Sequence, residues 1–181
     1  MTTADPPNQP TEAQVTSAIF ATCCQLATSF AFSIRRISAD APFTADDVRM
    51  LGEEAKAQID AFTLHFSKLQ DLIGAKLFRS ILILDLEDVP PAMLDVLAAM
   101  EKRGLIDDEN SWRDLRDVRN DLSHNYRIDP AGVADNLNEA LRQAPELLAI
   151  LERVRAYLVR RGLTDLPPVP NLNLSNTPSP A

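Results

Sequence analysis

The sequence predicts an all-α protein, an antiparallel helical bundle, on three observations. Apolar residues recur at three- and four-residue steps through most of the 181-residue chain. No period-two alternation runs long enough to make a strand, and five glycines are few for a hairpin-rich protein. Prolines cluster outside a continuous middle, at Pro6, Pro7 and Pro10 before it and at Pro167, Pro168, Pro170, Pro178 and Pro180 after it. Residues 1–10 and 165–181 therefore read as flexible tails around one helical domain over 11–164, since such stretches lack the apolar surface to offset their ordering entropy.

Taken in order, the first helix starts after Thr11, a natural N-cap. Val15, Ile19, Leu26, Phe30, Ile34 and Ile37 fall on one stripe near the 3.6-residue period. Val15–Ile34 carries no charge, which raises the question of a membrane span or a signal segment. Its many Ser, Thr and Gln residues, and acidic Asp5 and Glu12 where a signal carries Lys or Arg, favour a core helix instead. Thr44 then caps a long run through Val48, Leu51, Ala55, Ile59, Phe62, Phe66, Leu69, Ile73, Leu77 and Ile81 to about Leu86, with Gly74 as a bend. Pro91 suits the first turn of the next helix, which stops near Gly104. Asp107 or Asp108 starts another through Trp112, Leu115, Val118 and Leu122. After Asp129-Pro130 a last run carries Val133, Leu137, Leu141, Leu148, Leu151, Val154 and Leu158, and Pro145 should kink or split it.

Composition narrows the chemistry. The formal charge is −8, which disfavours a protein that coats nucleic acid through a basic face. Adjacent Cys23 and Cys24 cannot build a disulfide framework, and a reducing, cytoplasmic setting fits them. A four-cysteine zinc site is impossible, and two histidines are too few for most metal sites. Phosphate-binding glycine loops and nucleophile elbows are missing, so no metal or cofactor is expected.

One segment carries more: Arg116-Asp117-Val118-Arg119-Asn120-Asp121-Leu122-Ser123-His124-Asn125-Tyr126. It brings a permanent cation, an amide, an imidazole and a phenol into eight residues, Arg119 to Tyr126. Cleaving RNA through its own 2′-hydroxyl requires a base for that hydroxyl, an acid for the leaving 5′-oxygen and a cation for the phosphate. Histidine serves the proton transfers because its ordinary pKa lies near ~6.5. Arginine serves the phosphate, with a planar fork that stays charged. Between Ser111 and Arg127 four arginines meet three aspartates, a local +1 inside an acidic chain. Each residue also has a plainer role: Arg119 in an ion pair with Asp114, Glu109 or a neighbouring helix, His124 at a helix C-terminus, Tyr126 anchoring a turn.

Arg119, Asn120 and His124 resemble the HEPN superfamily motif, an arginine and polar residue followed at short spacing by histidine. The extension Arg-x4-His-x-Tyr, ending at Tyr126, resembles the HepT-like toxin branch, and Phe66–Asp71 looks like the helix that faces the motif there. The resemblance spans roughly 15–158. It implies a metal-independent endoribonuclease toxin, a homodimer whose two motifs share one cleft, with RNA (tRNA among the candidates) as substrate and neither DNA nor membrane as partner. His124 would be general base and acid, Arg119 would stabilise the phosphate, and Asn120 would position groups. The implied partner is a minimal nucleotidyltransferase antitoxin, which can transfer AMP to the motif tyrosine, here Tyr126. A non-catalytic helical module binding a nucleotidyltransferase or another protein is the alternative. On an ideal helix Tyr126 lies about 20° from Arg119, whereas His124 lies about 140° away. A straight single helix therefore cannot aim all three at one point, and the second subunit or a loosened helix end must help.

Overall fold

A computed structural model of the chain describes residues 9–124 and 129–172, with the side chains of Ser123 and His124 outside the description. These residues form α1 (Glu12–Ser38), α2 (Ala45–Arg49), α3 (Glu53–Leu72), a π-helical turn (Ile73–Leu77), α4 (Phe78–Leu84), α5 (Met93–Lys102), α6 (Glu109–His124) and α7 (Pro130–Arg160). No strand occurs among the described residues, and the protein is all-α.

α1 begins at Thr11, as expected, in a reciprocal cap: the Gln14 amide donates to Thr11 Oγ1 while the Thr11 amide donates to Gln14 Oε1. Its buried face runs Phe20, Cys23, Ala27, Phe30, Ile34 and Ile37. The expected stripe was offset in the N-terminal half, since Val15, Ile19 and Leu26 lie only at its margin. Several polar residues of this apolar helix bond within it, while Thr16 donates to the Ser80 carbonyl at 3.3 Å. Thr22, Thr28 and Ser33 each donate to the carbonyl four residues earlier. By length and composition α1 could cross a membrane. Here its apolar face packs on α3, α4 and α7, and it serves as a core helix of the fold.

The long run expected from Thr44 is divided. Thr44 does cap a helix, with Asp47 completing the cap, but α2 ends at Arg49 and Gly52 starts α3 afresh. Glycine in extended conformation at the N-cap, without a side-chain cap, is what breaks the periodic run. At Gly74, where a bend is expected, the helix continues from α3 into α4 through a π-helical turn. A Cβ on Gly74 would sit 2.9 Å from Trp112 Cζ2, so only glycine lets the tryptophan ring lie this close. Phe30, Phe62 and Phe66 cluster between α1 and α3, with centroids 5.6–6.0 Å apart. Such aromatic pairs contribute about 0.5–1.5 kcal/mol each beyond their buried area.

α5 starts two residues after Pro91 and ends in a turn at Gly104, whose φ of +66° favours glycine. Asp108 rather than Asp107 caps α6, accepting from the Ser111 amide at 2.8 Å. α7 passes through Pro145 without splitting. Its apolar face is buried on both sides of the proline, at Leu137, Ala140 and Ala144 before it and Leu147, Leu148 and Leu151 after it. Tertiary packing thereby holds the helix across the bond that proline cannot donate. The chain beyond Asp165, expected to be loose, packs on the helices as far as residue 172. Leu166 and Val169 are buried, and Arg155 Nε donates to the Pro167 carbonyl at 3.2 Å. Three apolar residues at three-residue steps, Leu166, Val169 and Leu172, give that proline-rich stretch one face to bury.

Candidate functional site

α6 lies against α3, α5 and α7, and presents Arg119 towards α3. The contact is specific: Arg119 Nη1 is 3.0 Å from Asp71 Oδ1, at the last turn of α3. Of the plainer partners considered for Arg119, the neighbouring helix is the one observed. Glu109 instead pairs with Arg113 on its own helix. The segment Phe66–Asp71 thus meets Arg119 through its last residue, Asp71.

Around this pair the helices leave a cleft of about 320 Å³, lined by Gln70, Asp71, Gly74, Met93, Trp112, Arg116 and Arg119, with Ala75 at its edge. Its lining combines exposed charged residues with buried ones. Asp71 and Arg116 are exposed, whereas Gln70 and Trp112 are only 2% and 5% exposed. Trp112 packs on Phe78 at 5.0 Å, with the rings tilted, and against the backbone of Gly74. The core role expected for it holds, yet one edge also lines the cleft. Both polar atoms of the Gln70 carboxamide are buried without a hydrogen bond.

Asn120 follows Arg119, is half-buried, and does not line the cleft. His124 is the last residue of α6, five positions on from Arg119, and its side chain is outside the description. Tyr126 lies outside the described residues altogether. The structure therefore brings Arg119 together with Asp71, Gln70, Trp112 and Arg116, and leaves the placement of the imidazole and the phenol undescribed. Among the described residues no three His, Cys, Asp or Glu side chains gather as metal ligands.

Of the cleft residues, Gln70 and Asp71 belong to the segment Phe66–Asp71 expected to face the motif and Arg116 opens the motif segment, whereas Ala75 and Met93 were not singled out by the sequence. One signal was present: Gly74 inside a strongly apolar helical run marks a close approach. Elsewhere, His65 is half-buried and its Nδ1 sits 2.8 Å from Ser33 Oγ. Burial, and secondarily the charge of Lys68, lowers its pKa below the ordinary 6.5. Cys23 and Cys24 are free thiols in the core, as expected of packing residues. Burial pushes them up to about 12 and about 11, with Cys24 adding to the rise at Cys23 and Glu152 to that at Cys24. Thiols this far above neutrality are not nucleophiles at pH 7.

Compared with protein-family models, with curated proteins and with solved structures, the chain matches none.

Proposed function

We propose that this protein is a metal-independent endoribonuclease of the HEPN kind, the toxin of a toxin–antitoxin pair. The observation that carries the reading is Arg119, the arginine of Arg-x4-His-x-Tyr, standing on the wall of an open cleft with Arg116 beside it. Arg116 and Arg119 both line that cleft, and guanidinium groups suit bidentate contact with a phosphate. In this reading Arg119 stabilises charge on the phosphate as the 2′-oxygen attacks. His124 removes the 2′-hydroxyl proton and returns a proton to the leaving 5′-oxygen. Asn120, one step round the helix, positions groups beside them. The helices form a HEPN-like antiparallel bundle that dimerises, so that two α6 C-termini complete one site in the cytoplasm. A minimal nucleotidyltransferase neutralises the toxin by transferring AMP to Tyr126, adding bulk and negative charge where substrate phosphate must enter.

Expression of the parent chain and of His124→Ala in growing cells tests this reading. Growth arrest with RNA fragmentation is expected from the parent, and neither from the variant. Equal arrest by both would contradict the mechanism. Co-expression with the cognate nucleotidyltransferase should add the mass of an adenylyl group to the peptide holding Tyr126.

One observation favours the second reading, a non-catalytic partner-binding module. Arg119 is only 23% exposed and its Nη1 is already bonded to a carboxylate, as in a structural ion pair. That reading predicts a stable complex with the partner and intact RNA.

A further inference from the structure

Gln70 is the least expected residue of the cleft. It is 2% exposed, it lines the cavity, and neither its Oε1 nor its Nε2 has a hydrogen bond. Buried carboxamides are almost always paired, so an orphan in a cavity wall marks either a functional contact or an ordered solvent site. The surroundings decide between them. The π-helical turn that follows Gln70 sets Gly74 against Trp112, and turns of this kind recur at functional sites. Met93 and the tryptophan edge give the cleft an apolar wall, while Arg116 and Arg119 give it positive charge. A ligand that matches all of these is flat, carries adjacent donors and acceptors on one edge, and bears a phosphate. The cavity, about 320 Å³, sits at the small end of ligand sites, which run from about 300 to 1,000 Å³, and suits one nucleoside unit rather than a duplex.

We propose that the cleft is a base-reading subsite, in which the Gln70 carboxamide, whose two polar atoms are covered in this structure, turns into the cleft to hydrogen-bond the edge of one unpaired base in the RNA strand. Trp112 and Met93 flank that base and Arg116 and Arg119 hold its phosphate. The proposal rests on the ribonuclease reading, because the phosphate next to the read base is the one Arg119 acts upon. A side-chain amide supplies one donor and one acceptor in a fixed fork, the pattern that distinguishes base edges. Single-stranded RNA exposes those edges, and duplex RNA does not. Gln70 is thus a specificity-determining residue, not a catalytic one.

The chain holds a single tryptophan, and it lines this cleft, so intrinsic fluorescence reports occupancy directly. The parent protein, Gln70→Leu and Gln70→Glu are titrated with the four 5′-mononucleotides and with 2′-O-methyl homo-oligonucleotides, which cannot be cleaved. Cleavage positions are mapped in parallel on a mixed-sequence RNA. The expected result is Trp112 quenching by one or two bases over the others by at least ~tenfold, the scale of one good bidentate contact. Gln70→Leu should reduce that preference to within about twofold while cutting RNA at more positions, and Gln70→Glu should change which base is preferred. If Gln70→Leu does not fold, the parent and Gln70→Glu titrations carry the test. Base-independent quenching, or a preference unchanged in both variants, overturns the subsite. Quenching by mononucleotides but not by oligonucleotides assigns the cleft to a free nucleotide and overturns strand reading. Cleavage without base preference defeats the subsite alone, and base-selective quenching without cleavage defeats the ribonuclease reading alone.

Discussion

Asp85 and Asp71 each meet arginine from another part of the fold, and the two carboxylates differ sharply in burial. At the end of α4, Asp85 has a side chain only 7% exposed and meets three side chains, two of them through hydrogen bonds to Oδ2 and one as an ion pair at Oδ1. Arg103 Nε lies 2.9 Å from Oδ2, Tyr157 donates its hydroxyl to the same oxygen, and Arg161 lies 2.8 Å from Oδ1. Arg103 also reaches Glu87, tying the end of α4 to α5 and α7. At the end of α3, Asp71 is 63% exposed and meets Arg119 on the wall of a cleft. The Asp85 cluster is closed on itself, with its charge spent on holding helices together. Asp71 is open to solvent, where screening weakens its pair with the partly buried Arg119. A carboxylate–arginine distance near 3 Å is common to both, so burial rather than distance separates a latch from a candidate site.

The largest effect expected on that comparison comes from Asp85→Ala. It leaves Tyr157 without its acceptor and Arg103 with only Glu87 and the Ala99 carbonyl, and should cost about 3 kcal/mol in chemical denaturation. Asp71→Ala should cost less than about 1 kcal/mol in the same measurement. Equal losses would erase the distinction between the two sites.

Gly74→Ala should follow in size, at roughly 1–3 kcal/mol. The new methyl meets a rigid indole ring rather than a flexible side-chain end, and the tryptophan emission should shift with it.

The orphan amide makes a prediction of opposite sign. Gln70→Leu should raise stability by about 1 kcal/mol, since an unmade buried hydrogen bond costs on that order. A fall of similar size would mean that the amide is satisfied in the folded protein. The gain, set beside lost base selectivity, would locate a place where function is kept at the expense of stability.

The smallest effect concerns His65. Its folded pKa lies below the ordinary 6.5, so the unfolded chain binds the proton more readily. Its contribution is complete above pH 6.5 and is lost as the pH falls through the lower folded value. His65→Gln should flatten the acid side of the stability profile between pH 7 and 5 and leave the Asp71 and Asp85 contrast unchanged.

The helical class, the Thr11 and Thr44 caps and the stop at Gly104 were all legible in the sequence, because each rests on local chemistry that needs no neighbour. The break at Gly52 was not, since Leu51 and Ala55 keep the apolar period across it and only the absence of a side-chain cap distinguishes the position. The packing of Leu166 and Val169 was hidden by the prolines around them, which signal freedom from helix rather than freedom from the core. For the site, Arg119 and His124 stood out by type and spacing along one helix. Asp71 and Gln70 come from a helix about fifty residues earlier; the resemblance marked their segment, Phe66–Asp71, as facing the motif, but local pattern did not say which of its residues meets Arg119. Contacts between elements are where periodicity alone carries least.

The most direct test of the central claim is RNA cleavage by the purified protein with chelator present, comparing the parent chain with Arg119→Ala and His124→Ala. The account predicts cleavage by the parent and a fall of about 10²–10⁴-fold for His124→Ala, the range general acid–base catalysis supplies, with a comparable loss for Arg119→Ala. Cleavage at the parent rate by both variants, or intact RNA with a parent protein that is folded and unmodified, would contradict it.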